Sequence, residues 1–118
     1  MQLNPSSSTL VYVCLEPTDM RRSFDTLAAM TQQIIEQNPL SGHLFVFVSK
    51  RRTMLKILFW DRTGYCQYFK RLESATFTIP AVSADGSRSR SISFEALQLL
   101  LDGIDVLGGR AAAKKMTK

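Results

Sequence analysis

Metal ligands and nucleophile machinery are scarce in this chain. It has one histidine, His43, and two cysteines, Cys14 and Cys66, among 118 residues. With no Cys-x-x-Cys pair and a lone imidazole, it falls short of the donor set of a structural zinc site. His43 follows Ser-Gly at the start of an apolar segment, with no acid or thiol at a useful spacing, so a structural role is expected. Both cysteines lie in apolar stretches and read as buried thiols. A disulfide between them would require their two strands to lie side by side. No P-loop, Gly-x-Gly-x-x-Gly or Gly-x-Ser-x-Gly string occurs. Of the six aspartates, Asp19 sits at an expected helix start, Asp61 and Asp85 in turns, and Asp102 and Asp105 beside a helix-ending glycine, with Asp25 inside the expected N-terminal helix. A two-metal nuclease needs carboxylates that converge. The expectation is a protein without enzymatic activity, cofactor, metal or small-molecule substrate. No apolar run approaches the ~20 residues that span a bilayer. The opening MQLNPSSSTL lacks the basic-then-apolar order of a signal peptide. No membrane contact and a cytoplasmic location are therefore expected.

What is present is enough for one core. Apolar residues make up 45% of the chain and charged residues 21%, as in an ordinary globular domain. The expected division is a flexible arm over 1–8, a domain over 9–107 and a disordered basic tail over 108–118. Positive charge is placed, not spread. Lys50 to Arg71, KRRTMLKILFWDRTGYCQYFKR, holds seven Lys/Arg against one acid, Asp61, for a net +6, whereas the whole chain carries +5. The tail adds Arg110, Lys114, Lys115 and Lys118, and everything else sums to −5. Phe59, Trp60, Tyr65, Tyr68 and Phe69 are threaded through the basic segment. Clustered cations attract polyanions, and aromatic faces invite stacking by bases.

Residue patterning points to an α+β fold: an antiparallel meander of about five strands packed against one long N-terminal helix and a short C-terminal helix. Thr9 to Glu16 is β-branched and aromatic and reads as a strand ended by Pro17. Thr18 or Asp19 can cap a helix running to about Gln37. Its apolar positions Met20, Phe24, Leu27, Ala28, Ile34 and Ile35 fit a 3.6-residue period, and Asn38-Pro39 stops it. His43 to Val48, Met54 to Trp60 and Tyr65 to Leu72 read as three strands, and Thr76 to Ile79 as a short fifth. Ser83 to Ser91 reads as a polar loop. A last helix is capped by Ser93, points Leu97, Leu100 and Leu101 inward, and ends at Gly103.

Alternation then divides the second hairpin. With Trp60 opposite Tyr65, one face holds Leu55, Ile57, Phe59, Cys66 and Tyr68, expected to pack under the long helix. The other holds Lys56, Leu58, Trp60, Tyr65, Gln67, Phe69 and Arg71. Adding the turn residues, the candidate nucleic-acid contacts are Lys50, Arg51, Arg52, Lys56, Trp60, Arg62, Tyr65, Lys70 and Arg71. A plain solvated sheet face and a protein-binding face are the competing readings. A one-residue slip of register would exchange the two faces.

Three strings carry a resemblance: TDMRRSFDTLA (Thr18 to Ala28), NPLSGHLFVFVSKRRTMLKILFWDRTGYCQYFKRLE (Asn38 to Glu73) and LLLDGID (Leu99 to Asp105). Together the chain resembles the TnpB accessory proteins, second-reading-frame products of insertion sequence 66 elements, over about Leu10 to Asp105. The matches include Asp19, Met20, Arg21, Gly42, His43, Arg51, Arg52, Lys56, Trp60, Asp61, Lys70, Arg71 and Gly103. Phe59 stands where tryptophan is common, and Phe69 where tyrosine is usual. The resemblance implies a non-catalytic, bacterial helper in DNA transposition. Its expected partners are DNA, at the element ends, and the transposase of the same element, which would carry the catalytic acids. A protein adaptor docking on the transposase without touching DNA is the alternative reading.

Overall fold

The computed structural model describes residues 5–80 and 85–108. Its centre is a five-stranded sheet in the order β4-β3-β2-β1-β5, formed by β1 (Val11–Cys14), β2 (Leu44–Val48), β3 (Met54–Asp61), β4 (Gly64–Arg71) and β5 (Ser89–Ile92). β2, β3 and β4 form the expected antiparallel meander, with Trp60 opposite Tyr65 as alternation requires. β1, however, runs parallel to β2, with Val11 beside Leu44 and Val13 beside Val46. The sheet is therefore mixed. The cause is the strand–helix–strand order at the start of the chain: a helix that crosses the sheet returns the next strand parallel to the first.

The fifth strand is not Thr76 to Ile79. That segment is extended and buries Phe77, Thr78 and Ile79 beneath the sheet without joining a ladder, tied by the Phe77 N–H to the Arg52 carbonyl at 2.7 Å. The edge place beside β1 goes to Ser89–Ile92, antiparallel, which overlaps the end of the Ser83 to Ser91 stretch expected to be a loop. Ladder bonds are made by the backbone, so a short polar Ser-Arg-Ser-Ile edge can hold them while its side chains stay wet.

The N-terminal helix is shorter than its periodicity implies. α1 (Phe24–Met30) continues as a π-helical turn, Thr31–Ile35. Buried Thr31 donates its hydroxyl to the Leu27 carbonyl at 2.9 Å, a back-bond that widens the helix locally. Glu36 then takes a left-handed conformation (φ 60°) and ends it ahead of Asn38-Pro39. Thr18 and Asp19 do not cap this helix. The Asp19 carboxylate instead accepts the Arg21 N–H at 2.9 Å, closing a turn inside the Glu16–Ser23 connection. α2 (Phe94–Leu101) follows the expected plan. Ser93 accepts the Ala96 N–H at 3.0 Å, and Gly103 (φ 82°) ends the helix while its N–H reaches the Leu100 carbonyl and that of Ile104 reaches Leu99.

Both faces of the sheet are covered, so β2 (Leu-Phe-Val-Phe-Val) is buried at every position. Leu44, Val46 and Val48, with Val11, Val13, Leu55 and Ile57, pack against Phe77, Ile79, Leu97, Leu100 and Leu101. Phe45, Phe47 and Leu58 pack against Leu27, Ala28 and Ile35 on the other face. Each fully buried Phe or Leu contributes about 2 kcal/mol of transfer free energy. The expected division of β3 side chains between faces is present, but the helices are exchanged. The Leu55–Ile57 face lies under α2 and the 77–79 segment, and α1 lies on the Lys56–Leu58 face. The expected arm over 1–8 and tail over 108–118 lie largely outside the described residues. Within 5–8, Ser6 joins a turn with Thr9, N–H to carbonyl at 3.1 Å.

Candidate nucleic-acid interface

Parallel neighbours put the connections that follow them side by side. The loop after β1 crosses the end of β2, and the Thr18 N–H donates to the Val48 carbonyl at 2.9 Å. The β2–β3 turn rises at the same end. In it the Arg52 N–H donates to Ser49 O at 2.9 Å, Met54 N–H to Ser49 Oγ at 3.1 Å, and Arg52 adopts φ 63°. Arg71 pairs with Met54, so the end of β4 joins them. One pole of the sheet thereby collects Arg21, Arg22, Lys50, Arg51, Arg52, Lys70 and Arg71.

Acids answer only some of these cations. Arg21 grips Asp19 in a fork, Nη2 to Oδ2 at 2.7 Å. These guanidinium hydrogen bonds, with the Arg21 N–H, hold the Asp19 carboxyl well below the usual carboxylate range. Arg71 pairs with Glu73 at 2.8 Å and Lys70 with Asp102 at 3.7 Å. Nearby, the Arg88 guanidinium bonds to Glu16 and depresses that carboxyl in turn. Arg22, Lys50, Arg51 and Arg52 have no ion-pair partner among the described residues. Lys50 and Arg51 are exposed and Arg52 is half-buried.

The candidate set drawn from the sequence does not form one patch. β3 is eight residues long, so its ends lie roughly 23 Å apart at ~3.3 Å per residue. Lys50, Arg51, Arg52, Lys70 and Arg71 stand at one end. Trp60, Arg62 and Tyr65 stand at the other, where the Trp60 and Tyr65 rings pack edge to face at 5.2 Å and Arg62 approaches Asp61 at 3.6 Å. Both aromatic rings are half-buried, Tyr65 against the α1 side of the core. Lys56 belongs to neither group. It is 5% exposed. Its ammonium donates to the Arg22 carbonyl at 2.8 Å and lies 5.0 Å from the centre of the Phe69 ring. It anchors the Arg21–Arg22 loop to the sheet and is not displayed at the surface.

Arg21 and Arg22 are the residues that strand alternation missed. Their loop comes beside the Lys50–Arg51 turn, with Arg21 lining a groove they share, only because β1 and β2 are parallel. The strand–helix–strand order of the sequence was the available signal.

Between the two loops lies an open groove of about 470 Å³. Pro17, Met20 and Met54 give it apolar lining, Lys50 and Arg51 line it as cations without ion-pair partners among the described residues, and Arg21 lines it together with its partner Asp19.

His43 accepts the Leu10 N–H on Nδ1 at 3.0 Å and packs edge-on to Tyr12, so it joins β1 to the start of β2. Among the described residues, no three His, Cys, Asp or Glu side chains converge as a metal site. None of the described helices is long and apolar enough to cross a membrane. Cys14, on β1, and Cys66, on β4, are both free and are separated by β2 and β3. Burial pushes the Cys14 thiol up. Maleimide labelling of the native chain near neutral pH is therefore expected to modify half-buried Cys66 first and Cys14 only as the chain unfolds. Equal labelling rates would contradict this packing.

The sequence comparisons agree with one another. The family model described as IS66 Orf2 like protein matches residues 9–110. The uncharacterized protein y4hO of Sinorhizobium fredii (strain NBRC 101917 / NGR234) is 40% identical over 95 residues, covering 80% of each chain. The uncharacterized protein y4jC of the same strain is 34% identical over 103 residues, covering 87% of this chain and 86% of its own. No solved structure gives a significant match. Sequence motifs and family match thus converge: the chain belongs to the IS66 Orf2-like family, the accessory proteins of IS66 transposition.

Proposed function

We propose that this accessory protein acts on DNA directly, by holding the phosphate backbone at the Lys50–Arg52 pole. The observation that carries the reading is the clustering of Lys50, Arg51 and Arg52 on one turn, without ion-pair partners among the described residues, beside the loop that bears Arg21 and Arg22. Lys70 and Arg71 flank them and can exchange their exposed carboxylate partners for phosphates. Trp60, Arg62 and Tyr65 form a second contact point along the same hairpin. At ~3.4 Å per base pair the roughly 23 Å between the poles corresponds to about seven base pairs, so one duplex lying along β3 and β4 touches both. Such contacts position a protein on DNA without reading its sequence. Neutralising four or five phosphates predicts that log affinity falls with log salt at a slope of about −4. Fluorescence anisotropy with element-end duplex across a salt series measures it. A flat dependence, or no binding at low salt, would sink the proposal.

The adaptor reading is favoured by a different residue from the one the sequence suggested. Trp60 is packed against Tyr65, whereas Phe69 is 53% exposed on the edge strand β4. If the protein docks on the transposase through this edge, Phe69→Ala is expected to reduce nuclease-insensitive co-purification at least tenfold, as loss of an aromatic anchor does. Retention of the complex by Phe69→Ala would exclude this edge as the docking site.

A further inference from the structure

The groove between the two basic loops has a composition that a duplex uses only in part. Its apolar lining is Pro17, Met20 and Met54, and beside them stand the cations Lys50 and Arg51, while the charge of Arg21 is taken up by Asp19, which also lines it. Base-paired DNA presents phosphates, sugars and base edges to such a surface, but its base faces are hidden in the stack. An unpaired nucleotide presents both halves of the complement: a charged phosphodiester and a planar base with two desolvatable faces. Methionine is well suited to the second, since its thioether is polarizable and adapts its shape to an aromatic ring. Bases taken out of the stack are held in this way, between apolar side chains. The groove is also open, and its cations come from two separate loops, so a strand can enter and leave it. A free mononucleotide would gain little enclosure there.

We infer that the Pro17–Met20–Met54 groove takes up an unpaired nucleotide of DNA, its base against the two methionines and its phosphates between Lys50 and Arg51. The inference rests on the DNA-binding reading and specifies the form of DNA that satisfies it best. It gives the protein a preference for exposed strand ends or distorted junctions of the element over intact duplex, which it still holds by the phosphates.

The test uses the full chain and three fluorescent DNAs of equal charge: a blunt duplex, the same duplex with two bases unpaired, and the same with those two positions abasic. The expected result is about tenfold tighter binding to the unpaired-base DNA than to the other two, the gain expected of one stacked base. Met20→Ser should bring that ratio close to one. The abasic DNA needs no protein variant, so it answers the question even if Met20→Ser fails to fold. Equal affinity for all three DNAs would overturn the groove assignment while leaving phosphate binding intact. No binding to any of them would refute the DNA reading itself. Displacement of the unpaired-base DNA by an acidic, leucine-rich peptide but not by a short oligothymidylate would assign the groove to a protein partner and also overturn the inference.

Discussion

A chain carrying Lys50→Ala, Arg51→Ala and Arg52→Gly is expected to lose roughly a hundredfold in DNA affinity at low salt, and its salt slope should flatten by about three. Each removed phosphate contact contributes on the order of 1 kcal/mol at low ionic strength, and each 1.4 kcal/mol is a factor of ten. Glycine is chosen at position 52 because Arg52 holds φ 63° with both its backbone N–H and carbonyl bonded. Glycine accepts that conformation without strain, so the turn should survive. The loss should be similar on every duplex sequence, because phosphates carry no base identity. A variant that still binds with the parental salt slope would show that the turn is not the contact.

Lys56 separates structure from binding. Truncation to alanine leaves a buried space above Phe69 and frees the Arg22 carbonyl, at an expected cost of about 2–4 kcal/mol. At ~3–6 °C per kcal/mol for a chain of this size, the melting temperature should fall by roughly 10–20 °C. Lys56→Met keeps the aliphatic stem and removes only the ammonium, so about 1 kcal/mol is expected. Neither change should alter the salt slope of the folded fraction, because the ammonium faces a backbone carbonyl and a ring, not solvent. A Lys56→Met chain of parental stability whose slope is flatter by one would place this lysine among the phosphate contacts.

That contrast shows where sequence reasoning reached and where it stopped. Alternation along Met54–Arg71 placed Lys56 on the same face as Leu58 and Phe69, and the pairing of Trp60 with Tyr65 agrees with that placement. What alternation lacks is any statement about what lies on the face. α1 covers it, and a lysine that reads as displayed is folded under a loop. The exchange of helices between faces has the same origin, since periodicity gives a helix an apolar side but no address. Ser89–Ile92 was illegible for a third reason: its pairing is made by the main chain, and of its side chains only Ile92 packs on the core. Ser93 and Gly103, by contrast, were legible because cap residues act through local hydrogen bonds and local φ. The basic pole was half visible. Lys50 to Arg52 stand together in the sequence, whereas Arg21 and Arg22 join them only through the parallel pairing of β1 with β2.

The position of β1 has a consequence for how the molecule comes into being. The first strand to be synthesised lies between β2 and the last strand, β5, and the residues that cover it, Leu97, Leu100 and Leu101, come later still. A nascent chain that has reached only Pro80 has four strands, β1 to β4, and α1, but one flank of β1 is bare and the Val11–Val13 face lacks its helix. Stable folding therefore waits for nearly the whole described chain to leave the ribosome, and closure must bring together segments more than seventy residues apart. Such non-local closure is slow. Translation products cut short before α2 are expected to be removed by proteolysis, so a working copy of the accessory protein is made only when its reading frame is read almost to the end.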